Sequence, residues 1–357
     1  MKIRFMVLGI LLMFGAQAFA QGDAKAVEIV KKARAVIGKE DKIKALQNVV
    51  AEGTFKQSMG QRNMEGPLEV TMALPDKIYR SITRSMGPME MVQIDVLNGN
   101  TVWNDMQSSQ PMPQGFGGGG GMRGGGGMGF LDQATQERNR RNDLARVMLG
   151  WFLLAPSGLN AEYTYVGEAK APDGTADVIG VKTADGLVAK LYIDQQSKQL
   201  LMLSYKDKDM SALFRGGQGG GQGGGQGGAR PAGGQATVQG GQGQGAQGQG
   251  AQGGQRGPNG MSREEFDKLP QAEKDKIQAE QKARQDQRMA EAKAAYEKAP
   301  EVDYQWSFSD YKEVNGLNLP HILTKAVGGN PNEEWVISKF KFNEKKVTAE
   351  KFEKKGK

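Results

Sequence analysis

Along the chain, apolar positions first recur at a helical period and then at a period of two. Residues 24–37, AKAVEIVKKARAVI, put Ala26, Ile29, Val30, Ala33 and Ile37 on one face, and Gly38 stops the run. A short second helix is expected over about 40–48. From there the pattern alternates. PLEVTMALP sets Leu68, Val70, Met72 and Leu74 on one side of a strand. EMVQIDVLNGNTVW alternates too, and Asn98-Gly99 suits a type I′ hairpin turn. AEYTYVGEA, ADVIGVKT, LVAKLYID and QLLMLSY read as further strands, as do DYQWSFSDYKEV, LPHILTKAV and EEWVISKFKF after residue 300. Strands this closely spaced, with no helix between most pairs, call for an antiparallel sheet.

Three segments interrupt the alternation. Residues 111–130, PMPQGFGGGGGMRGGGGMGF, contain G-x-G-x-x-G matches, but no strand-helix-strand context surrounds them, so they carry no nucleotide-binding signal. Residues 216–260 are dominated by glycine and glutamine and offer almost no apolar surface to offset ordering entropy. Residues 261–299 read as a charged helix over 262–298. Ser262 and Glu265 form a capping box, Pro270 restarts the helix, and the body is polar on every side. A solvated helix and a partner-binding helix both fit that body. Because strands resume at residue 300, the tract and helix read as one insertion into a single β domain, with 21–215 before it and 300–357 after it. About 58 residues with three or four strands and no disulfide would be marginal alone.

Composition changes the picture mainly by locating the chain. MKIRFMVLGILLMFGAQAFA has Lys2 and Arg4, an apolar run and Ala18-Phe19-Ala20, the pattern of a signal peptide at 1–20 cleaved before Gln21. A periplasm-like destination follows. The chain has no cysteine, so export brings no disulfides and no lipid anchor at a cysteine. The net charge is +7, and removing Lys2 and Arg4 leaves 45 basic against 40 acidic residues. That mild excess, partly in C-terminal runs such as Lys345-Lys346, gives no reason to expect a nucleic-acid partner outside the cytoplasm.

Residue types that carry chemistry are scarce. His321 is the single histidine, and neither a zinc ligand set nor a nucleophile motif accompanies it. It follows Pro320 at the start of a strand, downstream of the Asn315-Gly316 turn, and reads as a polar strand residue. No catalytic residue, metal site or cofactor is expected. Met59, Met64, Met86, Met89 and Met91 are close in sequence. Thioethers suit Cu(I), and they equally suit an adaptable apolar lining. Strand spacing puts Met89 and Met91 on one face and Val92, Ile94 and Val96 on the other, so both faces of that strand should be covered.

The order of several short motifs resembles the LolA-type family of outer-membrane lipoprotein-sorting proteins. AEGTF, LPDKIYR, VLNGNTVW, AKLYIDQQSKQLLMLSY with Asp194 at its turn, FSDYKEVNGLNLPHIL and VTAEKFEKK fall in the family's sequence, over most of 24–206 and 303–354. The resemblance implies a mainly β (α+β) fold. Its strongly curved antiparallel sheet forms an incomplete barrel, with helices covering the open concave side and acyl chains held between. The family's carriers have an arginine directly before the strand-ending proline that helps hold the lid. Leu74 stands there here, and the nearest arginine is Arg80.

RVMLGWFLLAP, Arg146 to Pro156, follows a helix expected over about 131–149 that bears Arg138, Arg140, Arg141 and Arg146. It reads either as the buried end of a core helix with a solvated basic face, or as a lid with arginines toward a headgroup. The expected ligand contacts are Met72, Met91 and Trp103 from strands and Trp151, Phe152 and Leu153 from the lid. Lipid or lipoprotein acyl chains are the expected partners of a monomeric carrier. Envelope membrane proteins are the partners if the domain is instead a sensor or interaction module.

Overall fold

Alternation in the strands decides which residues share a face, and the pairing registers show where each face points. In the computed structural model, residues 23–59, 62–86, 89–109, 130–157, 159–172, 174–209 and 263–354 are described. Residues 1–20, nearly all of the 111–130 loop and the 216–260 tract lie outside them. Two units are present, residues 23–209 with 300–354 and the segment 263–299.

The first unit holds β1 (Asn48–Met59), β2 (Arg62–Ala73), β3 (Lys77–Met86), β4 (Met89–Asn98), β5 (Thr101–Ser108), β6 (Ala161–Ala171), β7 (Gly174–Thr183), β8 (Val188–Asp194), β9 (Leu200–Lys208), β10 (Glu301–Val314), β11 (Leu317–Val327) and β12 (Asn330–Phe342). All twelve join one antiparallel sheet in the order 5-4-3-2-1-12-11-10-9-8-7-6. The sheet is strongly curved and does not close: β5 and β6 remain as edges. β10 pairs directly with β9, Tyr304 opposite Tyr205, although more than ninety positions separate the two strands. Gly53 marks a register shift between β1 and β12. A side chain there would collide with the Val336 carbonyl, so only glycine lets the two backbones approach.

Two helices, α1 (Ala24–Ile37) and α3 (Gln133–Phe152), supply the inner layer, with the short α2 (Glu40–Lys44) after α1. α1 buries the five apolar residues of its stripe. α2 ends earlier than the sequence spacing suggests because β1 already begins at Asn48. α3 runs three residues beyond the expected end and takes in Trp151 and Phe152. Leu144 to Phe152 are all buried, so this half of α3 is surrounded on every side. Gly150 permits that depth: a Cβ there would sit 2.5 Å from the Phe308 ring of β10.

The outer face is covered locally. A 3-10 turn, Ala349–Phe352, brings Phe352 onto Ile94 and Val96 of β4. Lys351 fixes the turn through Glu69 at 2.7 Å and lies 4.2 Å over the Tyr79 ring. Both faces of β4 are thus covered, the outer one by the C-terminal turn rather than by a helix.

One of the two Asn-Gly turns differs from the sequence expectation. At Gly99 the φ of 59° is positive, but Asn100 is not in the left-handed region, so this is not a type I′ turn. Asn315 and Gly316 are both left-handed, at 53° and 74°, and form that pairing at the β10–β11 hairpin.

The second unit consists of α4 (Arg263–Asp267) and α5 (Gln271–Lys298), separated at Pro270. α5 buries none of its residues.

Candidate functional site

α1 is tied to β6 at its start and followed directly by α2, and together the two helices form the wall of a cleft. At its start, Asp23 serves two elements. One carboxylate oxygen accepts from the Lys25 amide at 3.0 Å and the other from the Tyr165 amide at 3.0 Å. The Asp23 amide donates to the Tyr163 carbonyl at 3.1 Å. Asp23 therefore caps the helix and also satisfies part of the open edge of β6. At the far end the Gly38 amide donates to the Arg34 carbonyl at 3.1 Å, and Lys42 Nζ reaches the Asn315 carbonyl at 3.2 Å.

Held this way, α1 presents Val27, Lys31, Arg34 and Ala35 beside the stripe it buries, with Val30 of the buried stripe at the shared border. That stripe and the α2 residues Glu40 and Lys44 form one side of a cleft of about 690 Å³. The opposite side begins where α3 ends. Leu153 takes a left-handed φ of 49° and caps the helix through its amide to the Leu149 carbonyl, 3.0 Å. The chain then leaves through Leu154, Ala155 and Pro156, turns with the Leu159 amide on the Pro156 carbonyl at 2.8 Å, and enters β6 past Ala161 and Tyr163. The size and the mostly apolar walls are those of small-molecule sites.

Charge is confined to one side of this cleft. Arg34 and Glu40 pair at 3.0 Å, yet Arg34 Nε is buried with no hydrogen-bond partner. Lys31 and Lys44 are exposed, and neither has an ion pair among the described residues. Burial pushes the Tyr163 hydroxyl above its ordinary pKa, with nearby Arg34 partly offsetting it.

The inner face of the sheet is different. Register places Ala51, Val70, Arg80 and Asp95 in one row across β1 to β4. Arg80 bonds Asp95 at 2.9 Å and Asp143 of α3 at 2.8 Å, and Arg140 approaches Asp95 at 3.3 Å. Burial alone would push the Asp143 carboxyl up. Arg80, with Lys325 and Arg146, outweighs it and holds the group at about 2. Burial likewise opposes the Arg80 charge, and Asp143 and Asp95 overcome it, so its pKa is raised. Arg146 stacks 3.5 Å over Tyr205, and Arg141 donates to the Asn100 carbonyl at 2.9 Å. These three arginines of α3 grip the sheet and its hairpin. They form neither a solvated face nor a headgroup site.

The expected contact residues separate accordingly. Met72 is 1% exposed in the main core, and Met91 is half-buried on the inner face, opposite Arg84 in register. Trp103 is on the outer face, its indole donating to the Phe352 carbonyl at 3.1 Å, because Val102 takes the inner position in β5. Trp151 and Phe152 are not a lid over open space. Trp151 packs at 6.5 Å from Trp335 and 5.8 Å from Phe340, both at steep ring angles, and Phe152 is fully buried. Only Leu153 of the set reaches the cleft. His321 is a strand residue, as its sequence context indicates, but a buried one on the inner face, edge-on to Phe340 at 5.1 Å. Met64 and Met89 are half-buried, while the side chains of Met59 and Met86 lie outside the described residues. The α1 side of the cleft escaped the sequence reading. Its signal is Val27, an apolar residue off the buried stripe and 48% exposed.

Three solved structures align with most of the chain at low identity. An outer membrane lipoprotein-sorting protein domain from Vibrio parahaemolyticus aligns with a TM-score of 0.40 and 9% identity, over 92% of this chain and 96% of its own. A DUF1329 family protein from Desulfovibrio piger gives 0.38 and 9%, over 91% and 97%. A LolA superfamily protein from Nitrosomonas europaea gives 0.38 and 10%, over 92% and 97%. No protein-family model and no curated protein matches the chain.

Proposed function

We propose that this is an exported, non-catalytic protein of the cell envelope that holds the apolar chain of a lipid or lipidated protein in the cleft beside α1. Residues 1–20 direct it to the periplasm. The observation that carries this reading is the contrast between a tightly filled inner face and an open, mostly apolar cleft of about 690 Å³ walled by Val27, Val30, Leu153 and Leu154. Burying about eight methylenes there contributes about 6 kcal/mol before the costs of ordering, enough for reversible carriage. The site is displaced from the one expected under Trp151, since those aromatic rings occupy the inner face themselves.

The test is to purify the protein from an envelope fraction, extract it with organic solvent and identify what is released by mass spectrometry, beside titrations of dodecanoate and dodecanol. Ala35, exposed on the α1 wall, becomes Trp in the blocking variant. Wild type should yield bound lipid and saturable binding, and Ala35→Trp neither. An extract with no lipid, together with no saturable binding of either probe, overturns the reading.

A further inference from the structure

The cleft's charges are on one side only, and their imbalance identifies the kind of amphiphile it takes. We infer that the site selects a single-chain amphiphile with an anionic headgroup, a carboxylate or phosphate ester, held by Lys31, Arg34 and Lys44. This rests on the reading of the cleft as an apolar-chain site.

Three cations stand at the α1–α2 side against one carboxylate, Glu40, which Arg34 already neutralises at 3.0 Å. Lys31 and Lys44 have no ion pair among the described residues, and the nearby Glu28 is paired with Lys32 at 2.6 Å. Arg34 adds the independent observation. Its Nε is buried without an acceptor, while its terminal NH2 is committed to Glu40. Reaching it takes a turn of the guanidinium, whose side chain is 21% exposed, and an unmet buried donor then recovers free energy by meeting the incoming acceptor. The acceptor has to be anionic to satisfy the two lysines as well, and charge-assisted bonds of this kind are the stronger ones. The apolar chain then runs along Val27, Val30, Leu153 and Leu154, away from water. A cationic headgroup would face the two uncompensated lysines, and a neutral alcohol would leave both unpaired.

The experiment compares four amphiphiles of equal chain length on the full chain by calorimetry: dodecyl phosphate, dodecanoate, dodecanol and dodecyltrimethylammonium, with inorganic phosphate as the chainless control. The two anions should bind roughly ten-fold tighter than dodecanol, the step expected for one charge-assisted hydrogen bond. The trimethylammonium probe should bind weakest and phosphate alone not measurably. Added salt should weaken the anions and leave dodecanol unchanged. Lys31→Gln with Lys44→Gln, and separately Arg34→Gln, should pull the dodecanoate-to-dodecanol ratio toward one. Lys339→Gln, on the exposed surface of β12, should leave that ratio intact. Circular dichroism melts show whether each variant is folded, and the lysine pair is exposed, so at least one arm reports. Equal binding of anion and alcohol, or preference for the cation, overturns the headgroup inference and leaves the chain site standing. If no amphiphile binds, both fall. If phosphate alone binds as tightly as dodecyl phosphate, the chain contributes nothing and the cleft is an anion site only.

Discussion

Two apolar surfaces lie on either side of Leu153, one closed and one open. On the N-terminal side, Trp151 and Phe152 enter the sheet's hollow and meet Trp335 and Phe340. On the C-terminal side, Leu154 and Ala155 border the cleft and stay partly exposed. The residue types are alike, so composition does not set the difference. The left-handed turn at Leu153 does, because it ends α3 where the helix still fills the hollow and sends the next residues sideways past α1. Polar contacts maintain the closed side: Arg80 bonds both Asp95 of the sheet and Asp143 of the helix. A half-barrel can therefore keep its hollow for packing and place an open apolar surface beside it.

Breaking the closed side should have the largest effect. Trp151→Ala removes a fully buried indole from the centre of the core and should cost about 3–5 kcal/mol, measured by denaturant unfolding. If Trp151 were instead a lid over open space, stability would barely move and only ligand binding would fall.

Asp143→Asn comes next. It takes one carboxylate from a buried arginine while Asp95 keeps the other bond, so the expected loss is roughly 3 kcal/mol, the low end for a broken buried pair. The pH dependence has a definite sign. Asp143 titrates at about 2 in the folded chain, below its ordinary 3.8. Its contribution is complete above about pH 4 and is lost as pH falls from there toward 2. In the Asn variant that part of the acid-unfolding profile should flatten. An unchanged profile would mean that the clasp does not hold α3 to the sheet.

Gly150→Ala tests the depth of α3 more gently. The new methyl meets the Phe308 ring at a distance no native side chain tolerates, and overpacking of this kind costs about 1–3 kcal/mol. A neutral result would show that Phe308 yields freely. The smallest stability effect should belong to the open side: Ala35→Trp should change unfolding free energy by no more than about 0.5 kcal/mol, as for other surface changes, while abolishing dodecanoate binding. Loss of stability on a scale like that of Trp151→Ala would erase the contrast between the two surfaces.

Much of this was legible from spacing. The α1 stripe from Ala26 to Ile37, the shared face of Leu68, Val70 and Met72, and the opposed faces of β4 follow from periods of 3.6 and two, which local geometry enforces. The strands on both sides of residues 210–299 were also readable, since their alternation is intact. The site was not. Trp103 faces outward rather than into the cavity, and the neighbour that covers it, Phe352, lies 249 positions away. Arg138 is exposed, but Arg140, Arg141 and Arg146 are taken up by Asp95, Asn100 and Tyr205, partners from other strands or turns that spacing along the helix does not show.

The sequence by itself determined the mainly β architecture, the apolar stripe of α1, the apolar end of α3 and the scarcity of catalytic residue types. Each depends on interactions within about a dozen residues, or on composition. Tertiary structure alone decided that Trp151 fills the hollow, that Trp103 faces outward, and that Val27, Lys31 and Arg34 meet Leu153 and Leu154 across a cleft. Those outcomes depend on where α3 stops against β10 and how Asp23 ties α1 to β6, contacts between segments more than a hundred residues apart. Local periodicity fixes which side of an element is apolar, but only packing between distant elements decides whether that side is sealed or left open.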